Sequence, residues 1–332
     1  MIVAITGICS GLGKALLPKL QRDPEIEKII GVDINRYKGN REKLEFHKID
    51  IRNYENLKET LINVDVLIHL AFIVIPNNMP KLNEIYEINI LGSINAFRAA
   101  ATQNVKKIIH LSSVAAYGHV PEVKDILTED APLLGIKTKS FYYSHTKAIV
   151  EKYIEKFENK YPNIRFVILR PPIIAGKNFF NNLKFLHLFS RIKFIPKGTR
   201  PDLMQLVHED DLTNVILLAI KKDYTGAFNI SAKPVNLSSV LRRFYGKKSK
   251  IFIPNIIINL IILLGKICKP LSRYTGWLQA AKHNGLLINK KIKRTFKWKP
   301  KFSTERCLIE TIKRIQKKNS KNDNKKNDKY ID

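Results

Sequence analysis

Directly behind the short apolar run Val3-Ala4-Ile5 stands Thr6-Gly7-Ile8-Cys9-Ser10-Gly11-Leu12-Gly13, and an apolar helical pattern from Leu12 to Leu20 follows at once. The order of strand, glycine loop and helix restricts this chain more than any other feature. Glycines let a backbone turn sharply and approach a pyrophosphate closely. The helix that starts there adds free amides and the positive end of its dipole. A glycine-rich loop alone also serves ordinary turns, but between a strand and a helix it reads as a dinucleotide site. The loop residues expected at the phosphates are Gly7, Ser10, Gly11, Leu12 and Gly13.

Further β-branched runs alternate with helical patterns: Ile29 to Val32, Phe46 to Ile49, Val64 to Ile68, Lys107 to Leu111 and Arg165 to Leu169. Continuous apolar strands separated by helices require a parallel sheet covered on both faces. The expected fold class is therefore α/β, a doubly wound parallel Rossmann sheet with a smaller C-terminal substrate lobe. The nucleotide domain is expected over residues 1–175, with later returns to its sheet near 205–231 from Val207 to Ile220 and Gly226 to Ile230. The lobe spans 176–311. One long helix is expected from Leu82 to Thr102, with Leu82, Ile85, Asn89, Gly92, Ala96 and Ala99 facing inward. Another should run from about Tyr143 to Lys160, with Ala148, Glu151 and Glu155 towards one side. The basic tail 312–332, almost without apolar residues from Lys317 on, reads as disordered.

Hydrophobic residues make up 45% of the 332, ordinary for a globular chain. No apolar run is long enough for a transmembrane segment, and the opening run lacks the basic leader of a signal peptide. Cys9, Cys268 and Cys307 show neither paired nor metal-ligand spacing, which predicts free thiols in a reduced cytoplasmic setting and no metal. The net charge of +29 has two readings. One is attraction to nucleic acid, an anionic membrane or an anionic substrate. The other is a composition rich in Lys, Asn and Ile, with lysines spread along the chain and no specific nucleic acid bound.

Asp33 closes the second strand, twenty residues after Gly13. A carboxylate there can accept both hydroxyls of an adenine ribose and would repel a 2′-phosphate, which favours NAD over NADP. The alternative for Asp33 is a loop-capping acid. Tyr143 and Lys147 stand four apart, on one side of a helical turn. A free phenol ionises near pH 10, but a nearby ammonium stabilises the phenolate and suits it to proton transfer. Ser112-Ser113 follows the fifth strand, at the edge where such sheets bind ligands.

These pieces together resemble an extended short-chain dehydrogenase/reductase of the NAD-dependent epimerase/dehydratase family over residues 1–310. The resemblance rests on the Thr6–Gly13 loop, Asp33, Asp50-Ile51, His69-Leu70-Ala71, Asn89 with Gly92, and Ser112 to Gly118. It continues through Tyr143 to Lys147, Leu169-Arg170-Pro171, His208 to Asp211, Gly226 to Ile230 and Trp298-Lys299-Pro300. It implies Ser113, Tyr143 and Lys147 as the catalytic set. It also implies NAD contacts from Asp50 and Ile51 at the adenine, from Leu70 and Ala71 along the cofactor, and from Asn89, Tyr143, Lys147 and Pro171. It implies a homodimer through the two long helices. The segments from His69 to Ile73 and from His208 to Asp211 are most similar to a UDP-glucose 4-epimerase-like subgroup.

The chain departs from that pattern in places. Relatives that remove water carry an Asp-Glu pair where this chain has Val114 and Ala115, so a 4,6-dehydratase is not expected. Epimerases of nucleotide hexoses place Asn and Arg at the positions of Ile173 and Met204, and a thioether replaces an arginine fork poorly. Lys177, Lys197 and Arg200 are candidate substitutes. The leading expectation is an NAD-dependent sugar-nucleotide epimerase or dehydrogenase; the next is a dehydrogenase of a lipid-like or steroid-like alcohol. The third is a non-catalytic NAD-sensing or nucleic-acid-binding protein. The apolar stretch 251–264, with basic Lys266, Lys269 and Arg273 behind it, reads either as a lipid-facing helix or as a buried lobe helix, the latter favoured by the helix start at Pro254. His69, His110 and His208 read as core histidines, Asp210 and Asp211 as helix caps, and Tyr117 as a residue at the substrate-facing turn.

Overall fold

The computed structural model describes residues 1–74, 82–183, 194–197, 203–245, 249–252, 260, 263–264 and 285–327. Seven strands form the main sheet: β1 (Ile2–Thr6), β2 (Lys28–Asp33), β3 (Leu44–Lys48), β4 (Val66–His69), β5 (Lys107–Leu111), β6 (Arg165–Arg170) and β7 (Gly226–Asn229). All adjacent pairs are parallel, in the order β7-β6-β5-β4-β1-β2-β3. The order reverses between β1 and β4, which opens a crevice at the strands' carboxyl ends.

Among the described residues the main helices are α1 (Gly11–Gln21), α2 (Tyr54–Thr60), α3 (Leu82–Tyr86), α4 (Gly92–Thr102), α5 (Tyr142–Lys160), α6 (Glu209–Lys221), α7 (Leu237–Tyr245), α8 (Lys290–Phe296) and α9 (Thr304–Asn327). Alternation along each strand divides the core. Val3 and Ile5 pack with Leu12, Leu16 and Leu20 of α1 and Val215 and Ile216 of α6. Ala4 and Ile30 face the other way, into Ala96 and Phe97 of α4 and Val150, Ile154 and Phe157 of α5. A smaller core joins Ala175, Leu206, Val240, Leu241, Cys307, Leu308 and Ile312.

Several local expectations are corrected. The helix from Leu82 to Thr102 contains a π-helical turn at Glu87–Leu91. Ile85, Asn89, Gly92, Ala96 and Ala99 are buried within it and on either side, whereas Leu82, at the first position of α3, is half exposed. On α5, Glu155 is exposed and pairs with Lys152, and the buried stripe continues through Ile154 and Phe157 instead. Val207 does not return to the main sheet. Leu206–His208 pairs with Ile173–Ala175 in a two-stranded ladder, and only β7 rejoins the large sheet. Asp210 and Asp211 do not cap α6: His208 Nδ1 accepts from the Asp210 amide, and Asp211 accepts from Lys301 and Phe302.

The tail expected to be disordered is helical through Asn327. Cys307, Leu308, Ile312 and Ile315 recur at helical spacing and are buried, so α9 is nucleated on the lobe and its lysines, good helix formers, continue it. In the stretch 251–264, Leu260, Leu263 and Leu264 are helical and 55%, 54% and 52% exposed. The rest of the stretch from residue 253 on, and Cys268, lie outside the described residues. No described helix is long and apolar enough to cross a membrane.

Candidate active site

The glycine loop sits at the carboxyl end of β1 as its sequence requires. Gly7 has φ +74°, and a Cβ there would stand 2.6 Å from the Ala71 amide nitrogen. A Cβ on Gly13 would stand 2.2 Å from the Ile8 carbonyl oxygen. Only glycine lets this loop pass both neighbours. Ser10 caps α1, its hydroxyl accepting from the Gly13 amide at 3.1 Å. Leu12 is buried in the core beneath, while residues 178–179 come close over Gly11. Loop, capped helix and close-packed Ala71 form a cradle of backbone amides that fits a dinucleotide's pyrophosphate.

Asp33 ends β2 beside this cradle and is buried. Its carboxylate accepts from the Cys9 amide at 2.9 Å and the Asn35 amide at 2.8 Å. The loop-capping alternative is thus realised, and the carboxylate still stands at the sheet edge where a ribose would lie. Asp50 is gripped by the Arg52 guanidinium and amide, and the hydrogen bond from Arg52 holds its carboxyl below the usual range. Ile51 packs against Gly92. Leu70 is buried next to Ala71. Asn89 is fully buried and holds both backbone groups of Ile73, accepting at 2.8 Å and donating at 3.1 Å. It therefore anchors the strap that follows β4. Tyr142 donates to the Val74 carbonyl on the same strap.

On the other side of the crevice the carboxyl end of β5 meets the start of α5. Ser113 caps a short 3₁₀ turn, Val114–Tyr117, and hydrogen-bonds the Tyr143 phenol. Pro171 accepts from the Val114 amide at 2.9 Å and fixes that turn to β6. Burial pushes the Tyr143 phenol up to about 12, and the Ser113 hydrogen bond pulls it back only in part. One helical turn on, Lys147 is buried, its ammonium donating to the Leu111 carbonyl at 2.6 Å. Burial brings Lys147 down to about 7, opposed by the nearby charge of Glu151. The two groups are mutually adapted: the phenol resists ionising without a cation, and the ammonium is held close to neutral ionisation.

Three parts of the site escape a reading of motifs. Phe72 lies with its ring centroid 3.4 Å from Lys147 Nζ and packs edge-on against Tyr143 at 5.9 Å. Glu151, a second helical turn beyond Tyr143, forms a buried ion pair with Arg170 at 2.6 Å and accepts from Ser112. The spacing 143, 147, 151 on one helix is the signal that could have found it. Glu209 accepts from the Lys177 amide at 2.6 Å and braces the segment over Gly11.

Tyr117 is corrected: it is 1% exposed, and its hydroxyl donates to Asn229 and accepts from Arg170, so it is core rather than substrate-facing. His69 is a core histidine between Thr6 and Ser93, with burial lowering it to about 3. His110 stacks on it, and burial holds it well below its ordinary value. Ile173 and Met204 pack against the lobe core. Among the described residues no three His, Cys, Asp or Glu side chains gather as a metal site.

Residues 3–231 match the NAD dependent epimerase/dehydratase family. An uncharacterized protein of Mycobacterium tuberculosis is 26% identical over 253 residues, covering 73% of this chain. The chain spans 65% of that relative's length. UDP-glucose 4-epimerase of Lactobacillus helveticus is 31% identical over 147 residues, 42% of either chain. The crystal structure of the Thermotoga maritima UDP-glucose 4-epimerase with UDP-glucose superposes with a TM-score of 0.69 at 21% identity. That match covers 96% of this chain and 99% of the other. At that identity the superposition speaks for the fold.

Proposed function

Because the chain belongs to the NAD dependent epimerase/dehydratase family, whose cofactor is NAD, we propose that it moves a hydride at a secondary alcohol of a sugar nucleotide, with Tyr143 as the acid/base. The observation that carries this reading is Ser113, Tyr143 and Lys147 converging at the sheet edge across from the Gly7–Ala71 cradle. Bound NAD would supply the hydride acceptor and a positive charge. The chain's own residues do the rest. Ser113 holds the substrate oxygen beside the phenol, and Tyr143 takes or returns the hydroxyl proton. Lys147, fixed by the Leu111 carbonyl, stabilises the phenolate and reaches the nicotinamide ribose. The cradle amides take the pyrophosphate, with Asp33 at the adenine ribose and Asp50 and Ile51 near the adenine. In the epimerase form of the reaction both proton and hydride return to the sugar, and NAD shows no net consumption.

A second reading, a dehydrogenase of a lipid-like alcohol, is favoured by one observation. Ala115, Phe141, Phe72 and Tyr142 pack around Tyr143 and give the phenol apolar walls. Calorimetric titration of UDP, UDP-glucose and UDP-N-acetylglucosamine into NAD-loaded protein separates the two. The proposal expects binding of the UDP sugars, with groups other than Ile173 and Met204 holding the diphosphate. No heat from any of the three, with NAD still held, would remove UDP sugars and turn the search to lipid-like alcohols.

A further inference from the structure

Burial leaves the Lys147 ammonium short of partners. Lys147 is 3% exposed, and among the described residues its one hydrogen bond goes to the Leu111 carbonyl, at 2.6 Å. An ammonium offers more donors than that, and a buried charge without compensation is costly. Glu151, one turn further along α5, is committed to the Arg170 guanidinium and the Ser112 hydroxyl, and its charge only partly offsets burial. The other titratable groups around Lys147 lend it nothing. His69 on β4 and His110 on β5 are held neutral by burial, and a charge on either would repel the ammonium. Tyr143 on α5 is a neutral phenol, and Arg170 on β6 is itself a cation.

What does meet the ammonium is an aromatic face. The Phe72 ring centroid lies 3.4 Å from Lys147 Nζ, and the same ring packs edge-on against Tyr143 at 5.9 Å. The strap that carries the ring is clamped on both sides of it. Ala71 closes against Gly7, and Asn89 holds both backbone groups of Ile73. Tyr142 then donates to the Val74 carbonyl. One half-buried side chain thus touches both members of the pair on α5.

We propose that Phe72 is a positioning residue: the negative face of its ring holds the Lys147 ammonium charged and in place beside Tyr143, before any ligand arrives. A ring attracts a cation through its quadrupole, most strongly where water is excluded, which is the setting here. Only the charged form of Lys147 stabilises a phenolate, so the ring sets the upper pH to which Tyr143 has its cation. That consequence rests on the proposed role of Tyr143; the ionisation of Lys147 does not.

The test reads that ionisation directly, with neither cofactor nor substrate. The full chain, carrying carbon-13 at its lysine ε-carbons, is titrated by NMR, and Lys147→Arg identifies the Lys147 signal by its loss. Burial draws Lys147 down to about 7, so its signal should move near neutral pH, apart from ordinary lysines. Trifluorophenylalanine in place of Phe72 keeps the ring's shape and removes the negative charge from its face. The Lys147 midpoint should then fall by about one pH unit, a tenfold change in the ionisation constant. The sign follows because losing a contact with the charged form lets the proton leave at lower pH. Phe72→Tyr keeps the electron-rich face and should leave the midpoint at the wild-type value. An unchanged or raised midpoint in the fluorinated protein would overturn the proposal, since a ring that only fills space acts alike in both. A Phe72→Tyr midpoint that falls as far as the fluorinated one would overturn it equally. Neither result depends on turnover of any sugar nucleotide, so this proposal and the acid/base role of Tyr143 fail separately.

Discussion

Tyr143→Phe is expected to lower turnover by about a hundred- to ten-thousand-fold, the range general acid–base groups contribute. NAD binding should be nearly unchanged. The substitution removes one oxygen from a side chain that is 8% exposed and wedged among Ala115, Phe141 and Phe72, so the ring's packing persists. What is lost is the one hydroxyl that faces Ser113 and can exchange a proton with substrate. Its phenol, pushed to about 12 by burial, does little as a base without a cation nearby. Lys147 is placed to be that cation, and its fall to about 7 means its charge is lost as pH rises past neutrality. The Gly7–Ala71 cradle contains no atom of Tyr143, and the ring that packs the site is kept, which is why binding survives. Steady-state rates and calorimetric NAD titration of the variant check both halves. Near-normal turnover would remove Tyr143 from the mechanism.

Arg170→Met is expected to destabilise the protein by about 3–5 kcal/mol, the cost of leaving a buried charge unpaired. The Arg170 and Glu151 side chains are 6% and 1% exposed, and two guanidinium nitrogens reach the Glu151 carboxylate. Arg170 also donates to the Tyr117 hydroxyl and the Glu129 carbonyl. The methionine keeps the volume but strands Glu151 next to Ser112 and one turn from Lys147. Replacing both partners, as Arg170→Met with Glu151→Leu, should recover much of the loss, because no charge is then buried alone. Urea unfolding of the three variants measures this. A loss below about 1 kcal/mol in the single variant would mean that water reaches the pair.

Much of this architecture was readable from residue order. Val3 to Ile5 before the glycine loop, and the apolar runs at Ile29, Val64, Lys107 and Arg165, translate into parallel strands because each is apolar on both faces. Gly7 and Gly13 stand where a side chain would strike Ala71 or Ile8, so steric necessity made them legible. The misreadings have equally local causes. Leu82 fell outside the buried stripe because it is the first residue of α3, and periodicity alone does not tell where a helix end leaves the core. Tyr117 looked exposed because it follows Ser113 in sequence, but Asn229 and Arg170 reach its hydroxyl from distant strands. Glu151 and Arg170 lie nineteen residues apart and meet only when α5 packs on β6.

The central claim, that this constellation moves a hydride between NAD and a secondary alcohol, is tested most directly by the near-ultraviolet absorbance of reduced cofactor. NAD-loaded wild type and Tyr143→Phe would each be mixed with UDP-glucose, UDP-N-acetylglucosamine and a panel of hydrophobic secondary alcohols. The account predicts that reduced cofactor appears with at least one of these in the wild type, transiently where the hydride returns to the sugar and lastingly where an alcohol is oxidised outright, and with none in the variant. Reduced cofactor appearing equally fast in Tyr143→Phe, or never in the wild type despite saturating NAD, would contradict it.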